Sequence, residues 1–551
     1  MVAVVLVAAV GVSVLAYESP VAPPVSQFPA TLVVRGYVGE FSPQFYAVAA
    51  HTAQPSGLAH DPGVQTLLNA SPIRFLRYGA GSDSCDPIHN ISYSPNGTPR
   101  SGCDYDLSSL KAWCTSLHPT CETLYQLPGE TNNSSEDAAI VAWLLGTVGF
   151  EPTYFAIGNE PSGWTHFGIP WTSWRSTDNS VPTPLAYAVE VRSVIAAVRA
   201  VDPSAQFVGI EAASPYGLEW FTTLVHVDGP QLSAVAYHLY PGRPLGAEPT
   251  VDQLYGLLDG IDNISSTYGT VRGAVDAACG CTHLPVQIGE YNAGPVPSVT
   301  GVYPPLDGQY PDAVFLAGSI DQALAEGVPA LTFFSLQSPS TAFEFGMLNS
   351  ADAIAPVGLL YEEILPSFAG RWIDALAIAG APDVWGTALV TNATGGQQVS
   401  ALLVNAQVAT QVRLRIGALL PPGTNATLIG WQPGEPQPGV EHGVRLGENV
   451  TLPPQGLLLI NATVPSGVPA VGRLGPARSP APELRGIAGA APFTGGLPLG
   501  TGYATRSPEE PAGAGRCSFR SSGGPTRRSR ITTGSSRGSG SKECGVPRGT
   551  K

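Results

Sequence analysis

Between Thr31 and Leu365 short, nearly continuous apolar runs alternate with stretches whose apolar residues recur at helical spacing. The runs Thr31–Glu40, Ile73–Tyr78, Glu122–Leu127, Thr153–Gly158, Gln206–Ile210, Ala234–Tyr240, Pro285–Gly289 and Ala330–Ser335 predict strands. Runs apolar on both faces suit parallel strands covered on both sides. Helices are predicted over Leu107–Leu117, Leu185–Val201, Leu218–Val227, Asp312–Glu326 and Val357–Leu365. Another starts near Ser135 with Glu136 and Asp137 in its first turn, where the helix dipole favours acids, and aligns Ile140, Val141, Trp143, Leu144 and Val148. A helical region over Val251–Ala278 is expected to break near Asn263–Gly269. Counted from Val33, these make eight strand–helix units, which predicts a closed (β/α)8 barrel over residues 31–369. A doubly wound open sheet fits less well, because no Gly-rich phosphate loop follows its first strand.

From Arg371 the pattern changes to short strands separated by Gly, Pro and Asn turns: Ala375–Ile378, Thr387–Val390, Val399–Val404, Gln411–Ile416, Thr427–Ile429 and Leu457–Ile460. They predict a small β-sandwich over 370–465, which a strand from the N-terminal lead-in is placed to join. The expected fold class is therefore α/β, a TIM barrel followed by a small C-terminal β-sandwich domain. Residues 466–551 are rich in Gly, Pro, Ser and Arg, lack apolar periodicity, and are expected to be disordered.

Composition adds a compartment. The apolar share is 43 % and the charged share only 13 %, with a net charge of −15. That charge divides into +9 over 466–551 and −24 over 1–465, so the body does not attract nucleic acid or other polyanions. Val2–Ala16 is almost wholly apolar and ends in small residues, too short for a comfortable bilayer span. Residues 1–18 are expected to be a cleaved signal peptide, although no Lys or Arg precedes Arg35. Ten Asn-x-Ser/Thr sequons between Asn69 and Asn461 agree with a secreted glycoprotein, with no membrane attachment after cleavage. In an oxidising compartment, bridges such as Cys85–Cys103 and Cys114–Cys121 are plausible, though spacing does not fix connectivity. Cys279-Gly-Cys281 with His283 reads better as a disulfide or plain loop than as a metal half-site, since no second ligand cluster stands out. Neither metal nor organic cofactor is expected.

The chemistry concentrates at strand ends, where β/α barrels keep their active sites. Tyr154-Phe-Ala-Ile-Gly-Asn-Glu-Pro161 closes the fourth strand with Glu160, and Pro285-Val-Gln-Ile-Gly-Glu-Tyr-Asn292 closes the seventh with Glu290. Two carboxylates facing each other across the barrel mouth suit retaining glycoside hydrolysis, in which they stand about 5–5.5 Å apart. Asn159 offers an amide to a sugar hydroxyl beside the reacting carbon, which makes Glu160 the proton donor and Glu290 the nucleophile. Mutual repulsion is expected to raise the pKa of the donor. Alone, each motif is only a turn or a solvated strand-end acid; the pairing carries the reading.

The pattern resembles clan A glycosidases, and within them glycoside hydrolase family 79, which includes β-glucuronidases and heparanases. The resemblance covers roughly residues 31–465. It rests on Gly36-Tyr-Val-Gly-Glu40, Leu76-Arg-Tyr-Gly-Ala-Gly-Ser-Asp83, Ile157-Gly-Asn-Glu-Pro161, His238-Leu-Tyr240 and Gly289-Glu-Tyr-Asn292. It implies that Tyr240 hydrogen-bonds the nucleophile, that His238 supports it, and that Glu40 binds hydroxyls of the terminal sugar. Asp83 is a further candidate contact. The ordinary alternatives are a packing Tyr240, a satisfied core His238, and a salt bridge from Glu40 to Arg74 or Arg77. The chain departs from the family at Gly79-Ala80, where Gly-Gly is usual, and at Ser162, where Asp is usual. Trp164 and Trp171 are candidate sugar-stacking residues, and Arg243 a candidate carboxylate partner.

A body at −24 repels a long polyanion, whereas a single terminal glucuronate needs only a few local donors. The expected substrate is thus a terminal β-glucuronide, cleaved from the chain end. The alternatives are a retaining β-glycosidase acting on a neutral sugar, and a non-catalytic carbohydrate-binding protein on a barrel scaffold.

Overall fold

The computed structural model describes residues 26–465, apart from 51–60, 79–83, 87–90, 94–98, 102–106, 118–120, 164–182, 242–255, 257, 281–282, 294–309 and 339–344. Eight parallel strands close a barrel: Tyr46–Ala49, Phe75–Tyr78, Glu122–Leu127, Tyr154–Ile157, Phe207–Ala212, Ala234–Leu239, Val286–Tyr291 and Leu331–Phe333. They are called the first to eighth barrel strands below. The last pairs in parallel with the first through Leu331 and Tyr46, so no edge is left open.

Alternation along each strand sorts the side chains. Ala47, Phe75, Leu124, Ala156, Val208, Ala234, Ala236 and Ala330 fill the lower interior, mostly with small residues. Their neighbours Leu76, Tyr125, Phe155, Ile157, Phe207, Val235 and Tyr237 face outward into the larger core beneath the helices. Helix Pro184–Val201 is N-capped by Thr183, whose hydroxyl accepts from the Ala186 N–H, and buries Tyr187, Val191, Val194, Ile195 and Val198. The helical region expected to break near 263–269 is interrupted just before Asn263, after the short 3-10 turn Leu258–Gly260, and is continuous from Asn263 to Ala278. Helix Leu107–Ala112 leads into Trp113–Leu117, and a disulfide joins Cys114 to Cys121 just before the third strand. Cys279 is also disulfide-bonded.

Strand Ser26–Glu40 is not the first strand of the barrel. It pairs antiparallel with Trp372–Ala379 and in parallel with Thr410–Arg415, inside a nine-stranded sheet. Residues 31–40 therefore belong to the sandwich domain, and the barrel begins at Tyr46. A strand count from Val33 still reaches eight, because Thr31–Glu40 stands in for the run Tyr46–Ala49, which is only four residues long. The sandwich keeps its own core, including Leu32, Leu376, Leu403, Val412, Leu414 and Ile460. Two of its strands, Gly439–Arg445 and Asn449–Leu452, escape a reading by apolar runs; the first lies exposed at the sheet edge with Gly, Glu, His and Arg in its seven residues. Tyr310, opening helix Tyr310–Ala325 of the barrel, donates from its hydroxyl to the carbonyls of Trp431 and Gln455 at 2.8 Å each. Trp385 donates from its indole to Asp262 at 3.0 Å, again joining sandwich to barrel.

Candidate active site

The site is built on one buried cation. Arg77 sits two residues beyond Phe75 on the interior face of the second barrel strand, one layer above the apolar floor. Its Nη1 donates to Glu290 Oε1 at 2.6 Å, its Nη2 to Asn159 Oδ1 at 2.8 Å, and its Nε lies 2.9 Å from Glu211 Oε2. A single guanidinium thus holds side chains from the fourth, fifth and seventh strands in one plane of contacts. Gln126, inward on the third strand, donates to Asn159 Oδ1 at 3.2 Å and to the Gly158 carbonyl at 2.9 Å. These contacts fix the turn that carries Glu160.

That turn is unusual in its backbone. Gly158 has φ +72° and Glu160 has φ +51°, the left-handed region that a residue with a side chain rarely occupies. A non-glycine residue held there at a strand end belongs with the outliers that cluster at functional sites. The turn is braced from beneath by Tyr187, whose hydroxyl donates to the Ile157 carbonyl at 2.7 Å. Ser162 accepts a hydrogen bond from the Ala213 N–H at 2.9 Å, tying this turn to the end of the fifth strand. The Glu160 side chain keeps 32 % exposure, while Glu290 and Arg77 are buried.

His238, inward on the sixth strand in line with Ala234 and Ala236, lies among three carboxylates. Its Nδ1 is 2.7 Å from Glu160 Oε1 and 3.3 Å from Glu290 Oε2, and its Nε2 is 3.1 Å from Glu211 Oε2. Tyr240 donates to Glu290 Oε2 at 2.6 Å, with its ring edge-on to Phe334 and Phe345. One oxygen each of Glu160 and Glu290, with a ring nitrogen of His238, all lie within 4.8 Å of one another. That spacing suits a nucleophile and an acid/base on either side of one glycosidic bond, and not the 6.5–9.5 Å gap that admits a water between inverting carboxylates.

The charges shape the proton affinities. Loss of water lowers the affinity of His238, but the charge of Glu290 and the hydrogen bonds to Glu160 and Glu211 outweigh it, lifting its pKa to about 9. Desolvation pushes the Glu160 carboxyl up, yet its hydrogen bond to His238, the charge of that ring and the charge of Arg77 bring it below the ordinary value. The upward shift expected for Glu160 from repulsion alone is therefore overturned: two cations stand among the acids. Burial, then the charge of Glu290, drives the Tyr240 hydroxyl well above its usual range, so it stays a donor.

Sequence reasoning brought Glu160, Glu290, Asn159, His238 and Tyr240 to this place, and the structure gathers all five. Glu40 is elsewhere. It ends the sandwich strand that precedes the first barrel strand, on the N-terminal side of the barrel, and pairs with Arg371 at 2.9 Å, both side chains being exposed. It does not reach a sugar at the opposite end, nor does it meet Arg74 or Arg77. Asp83, Trp164, Trp171, Arg243 and Cys103 lie outside the described residues, as do the expected signal peptide and tail.

Two members of the cluster were missed. The sequence offers Arg77 within the motif Leu76–Asp83 and as an alternative partner of Glu40, and its place two residues after inward Phe75 is the signal for the buried role. Glu211 has no such signal. Regular alternation from inward Val208 would send it outward, but the ladder between the fifth and sixth strands skips Ile210, which has φ +42°. This bulge turns Glu211 into the barrel. The seventh strand repeats the device: the ladder skips Gly289, and Glu290 turns inward where alternation would point it at the helices. Gly289 must lack a side chain, since a Cβ there would lie 2.5 Å from Glu211 Oε2.

No family model and no curated protein matches the sequence. Solved structures do match the fold. A family 51 α-L-arabinofuranosidase, AbfB from Bifidobacterium longum, superposes with a TM-score of 0.59 at 15 % identity, over 79 % of this chain and 99 % of that one. A GH51 arabinofuranosidase from Xanthomonas axonopodis pv. citri gives 0.61 at 13 % identity, over 79 % and 100 %. CelM2, a bifunctional glucanase-xylanase from a metagenome library, gives 0.56 at 13 % identity, over 79 % and 99 %. The chain has the barrel-plus-sandwich fold of these clan A glycoside hydrolases.

Proposed function

We propose that the protein is a retaining glycoside hydrolase, with Glu160 as acid/base and Glu290 as nucleophile. The observation that carries this is the approach of the two carboxylates to within 4.8 Å at the C-terminal mouth of the barrel, with Arg77 and Tyr240 hydrogen-bonded to Glu290. Those donors fix the orientation of the Glu290 carboxyl, and attack on the anomeric carbon requires a carboxylate so aimed. Glu160, partly exposed beside it on a turn held by Tyr187 and the Ala213 N–H, is placed to protonate the leaving oxygen and then to activate water.

The resemblance to family 79 supports a terminal β-glucuronide as substrate, recognised through its sugar at the chain end. A second reading, a neutral sugar, is favoured by one feature: among the described residues at the site, both cations, Arg77 and His238, are already engaged by carboxylates, leaving neither for a uronate. A panel of 4-nitrophenyl glycosides, including the β-glucuronide, β-glucoside, β-xyloside and α-L-arabinofuranoside, separates the two. Turnover of the glucuronide alone supports the first reading, and turnover of neutral glycosides alone ends it. With the active sugar, Glu290→Ala is expected to lose at least about 10³-fold in kcat. Azide should then restore cleavage with the substrate's anomeric configuration inverted in the glycosyl azide. Wild-type activity retained in Glu290→Ala would end the assignment of Glu290 as the nucleophile.

Secretion belongs to the same proposal. It is supported by the apolar leader, the sequons and the bridge between Cys114 and Cys121, which needs an oxidising compartment. No helix among the described residues is long and apolar enough to cross a membrane. Sequencing the mature N-terminus of protein recovered from the medium tests it: a start soon after residue 18 is expected, and retention of the intact leader in the cell would refute it.

A further inference from the structure

The cluster holds one carboxylate more than double displacement uses. Glu211 is buried to 1 % exposure, and among the described residues its polar partners are members of the site. Its two partners are Arg77 Nε and His238 Nε2, and Gly289 is kept bare to make room for it. Three features of the neighbouring ring give this arrangement a meaning. A ring nitrogen and a carboxylate oxygen at 2.7 Å, as His238 Nδ1 and Glu160 Oε1 stand, require a hydrogen between them. Glu211 at 3.1 Å calls for a second hydrogen on Nε2. Arg77 Nη2, a donor at 3.5 Å from the same Nε2, is the more distant neighbour and donates to Asn159 Oδ1 at 2.8 Å, so the nearer Glu211 carboxylate sets the hydrogen on Nε2.

We propose that Glu211 and His238 together form the proton store of the acid/base, a reading that rests on the glycosidase function proposed above: in the resting enzyme the proton that Glu160 delivers sits on His238 Nδ1, held there by the Glu211 carboxylate behind the ring. Glu211 is a positioning residue in this scheme. As the glycosidic bond breaks, the proton moves from Nδ1 to Glu160 and on to the leaving oxygen, which departs with the bonding electrons. Glu290 bonds the anomeric carbon in the same step. In the second step water attacks that carbon, Glu160 takes a proton from the water, and the electrons of the ester bond return to Glu290. The proton then goes back to Nδ1, closing the cycle with one water consumed.

The charges run in step with this sequence. The groups facing the ring are Arg77, Glu160, Glu211 and Glu290, with Tyr240 behind Glu290. While Glu290 is ionised it favours a protonated ring, in keeping with a His238 pKa lifted to about 9 by that charge and by its two other acidic partners against the pull of desolvation. Once Glu290 is esterified its charge is gone. The ring then stays neutral and Glu160 remains free to act as a base.

The test has one arm that needs no substrate. In the full chain labelled with ¹⁵N-histidine, His238 is expected to carry hydrogens on both ring nitrogens at pH 7. In Glu211→Gln it should lose one at least about one pH unit earlier than in the wild type. The second arm follows kcat/KM with the 4-nitrophenyl and phenyl glycosides of whichever sugar the panel identifies. In Glu211→Gln the basic limb should move to lower pH, with the phenyl glycoside, whose leaving group needs the proton, losing about tenfold more than the 4-nitrophenyl. A singly protonated His238 at pH 7 in the wild type would overturn the proposal. So would a uniform loss with both glycosides and an unmoved pH profile, which would make Glu211 a packing residue only. If no glycoside is cleaved, the glycosidase reading fails while the histidine titration still decides where the proton sits. Should Glu211→Gln not fold, Glu211→Asp, which withdraws the carboxylate from the ring, replaces it with the same downward shift expected.

Discussion

Arg77 shows how one residue can be indispensable to a site without touching the bond that is cleaved. Three acids, Glu160, Glu211 and Glu290, share a space in which two of them are almost wholly dry, and isolated charges there would be costly. The guanidinium contacts Glu211 and Glu290 directly and acts on Glu160 through its field. Replacing it by Met keeps much of the volume and removes the charge, so Arg77→Met is expected to cost about 3–5 kcal/mol of stability, the typical penalty for leaving buried partners uncompensated. Urea unfolding at pH 7 reads this directly. An unchanged midpoint would mean that Arg77 does not compensate the buried acids it contacts. The same dependence explains why the site was only half legible in the sequence. Asn-Glu-Pro and Gly-Glu-Tyr announce themselves as strand-end motifs, and His238 and Tyr240 come from the resemblance to family 79. Glu211 was hidden by a single skipped residue, Ile210, because a bulge reverses every inference drawn from period two.

At the scale of elements, the join between barrel and sandwich is made largely by helix Tyr310–Ala325 against sandwich strands, and it contains a buried acid. Asp321 lies on that helix, and Thr387, on strand Val384–Ala393, donates from its hydroxyl to the Asp321 backbone carbonyl at 2.9 Å. Burial pushes the Asp321 carboxyl well above its ordinary value, only partly opposed by hydrogen bonds from Thr387. A raised value in the folded chain means that stability is fully present below the unfolded pKa, about 3.9, and declines as pH rises toward the folded one. Asp321→Asn keeps the shape without the titration. Its melting temperature should overtake that of the wild type progressively as pH is raised from 5 to 9; a difference that stays constant across this range would show that Asp321 does not titrate in the fold. The elements themselves were mostly legible: helical periodicity and apolar strands gave the order of the barrel. What alternation could not show was membership, since Thr31–Glu40 is as strand-like as any barrel strand and only its hydrogen-bond partners, Trp372–Ala379 and Thr410–Arg415, place it in the other domain.

Considered as a whole molecule, the protein places its candidate chemistry at one end of the barrel and its bracing at the side, so that the sandwich contributes no described residue to the cluster around Arg77. Fold and site nevertheless depend on one continuous chain. Strand Ser26–Glu40 sits inside the nine-stranded sheet, with six strands on one flank and two on the other. Its partners lie more than three hundred residues downstream. During synthesis this segment precedes its partner strands by the entire barrel, all eight strands of which are made before Trp372. A cut between barrel and sandwich at residue 370 would therefore not yield two self-sufficient pieces: the C-terminal piece would hold a sheet split in two, and the N-terminal piece would trail an orphaned strand free to recruit a stranger's edge.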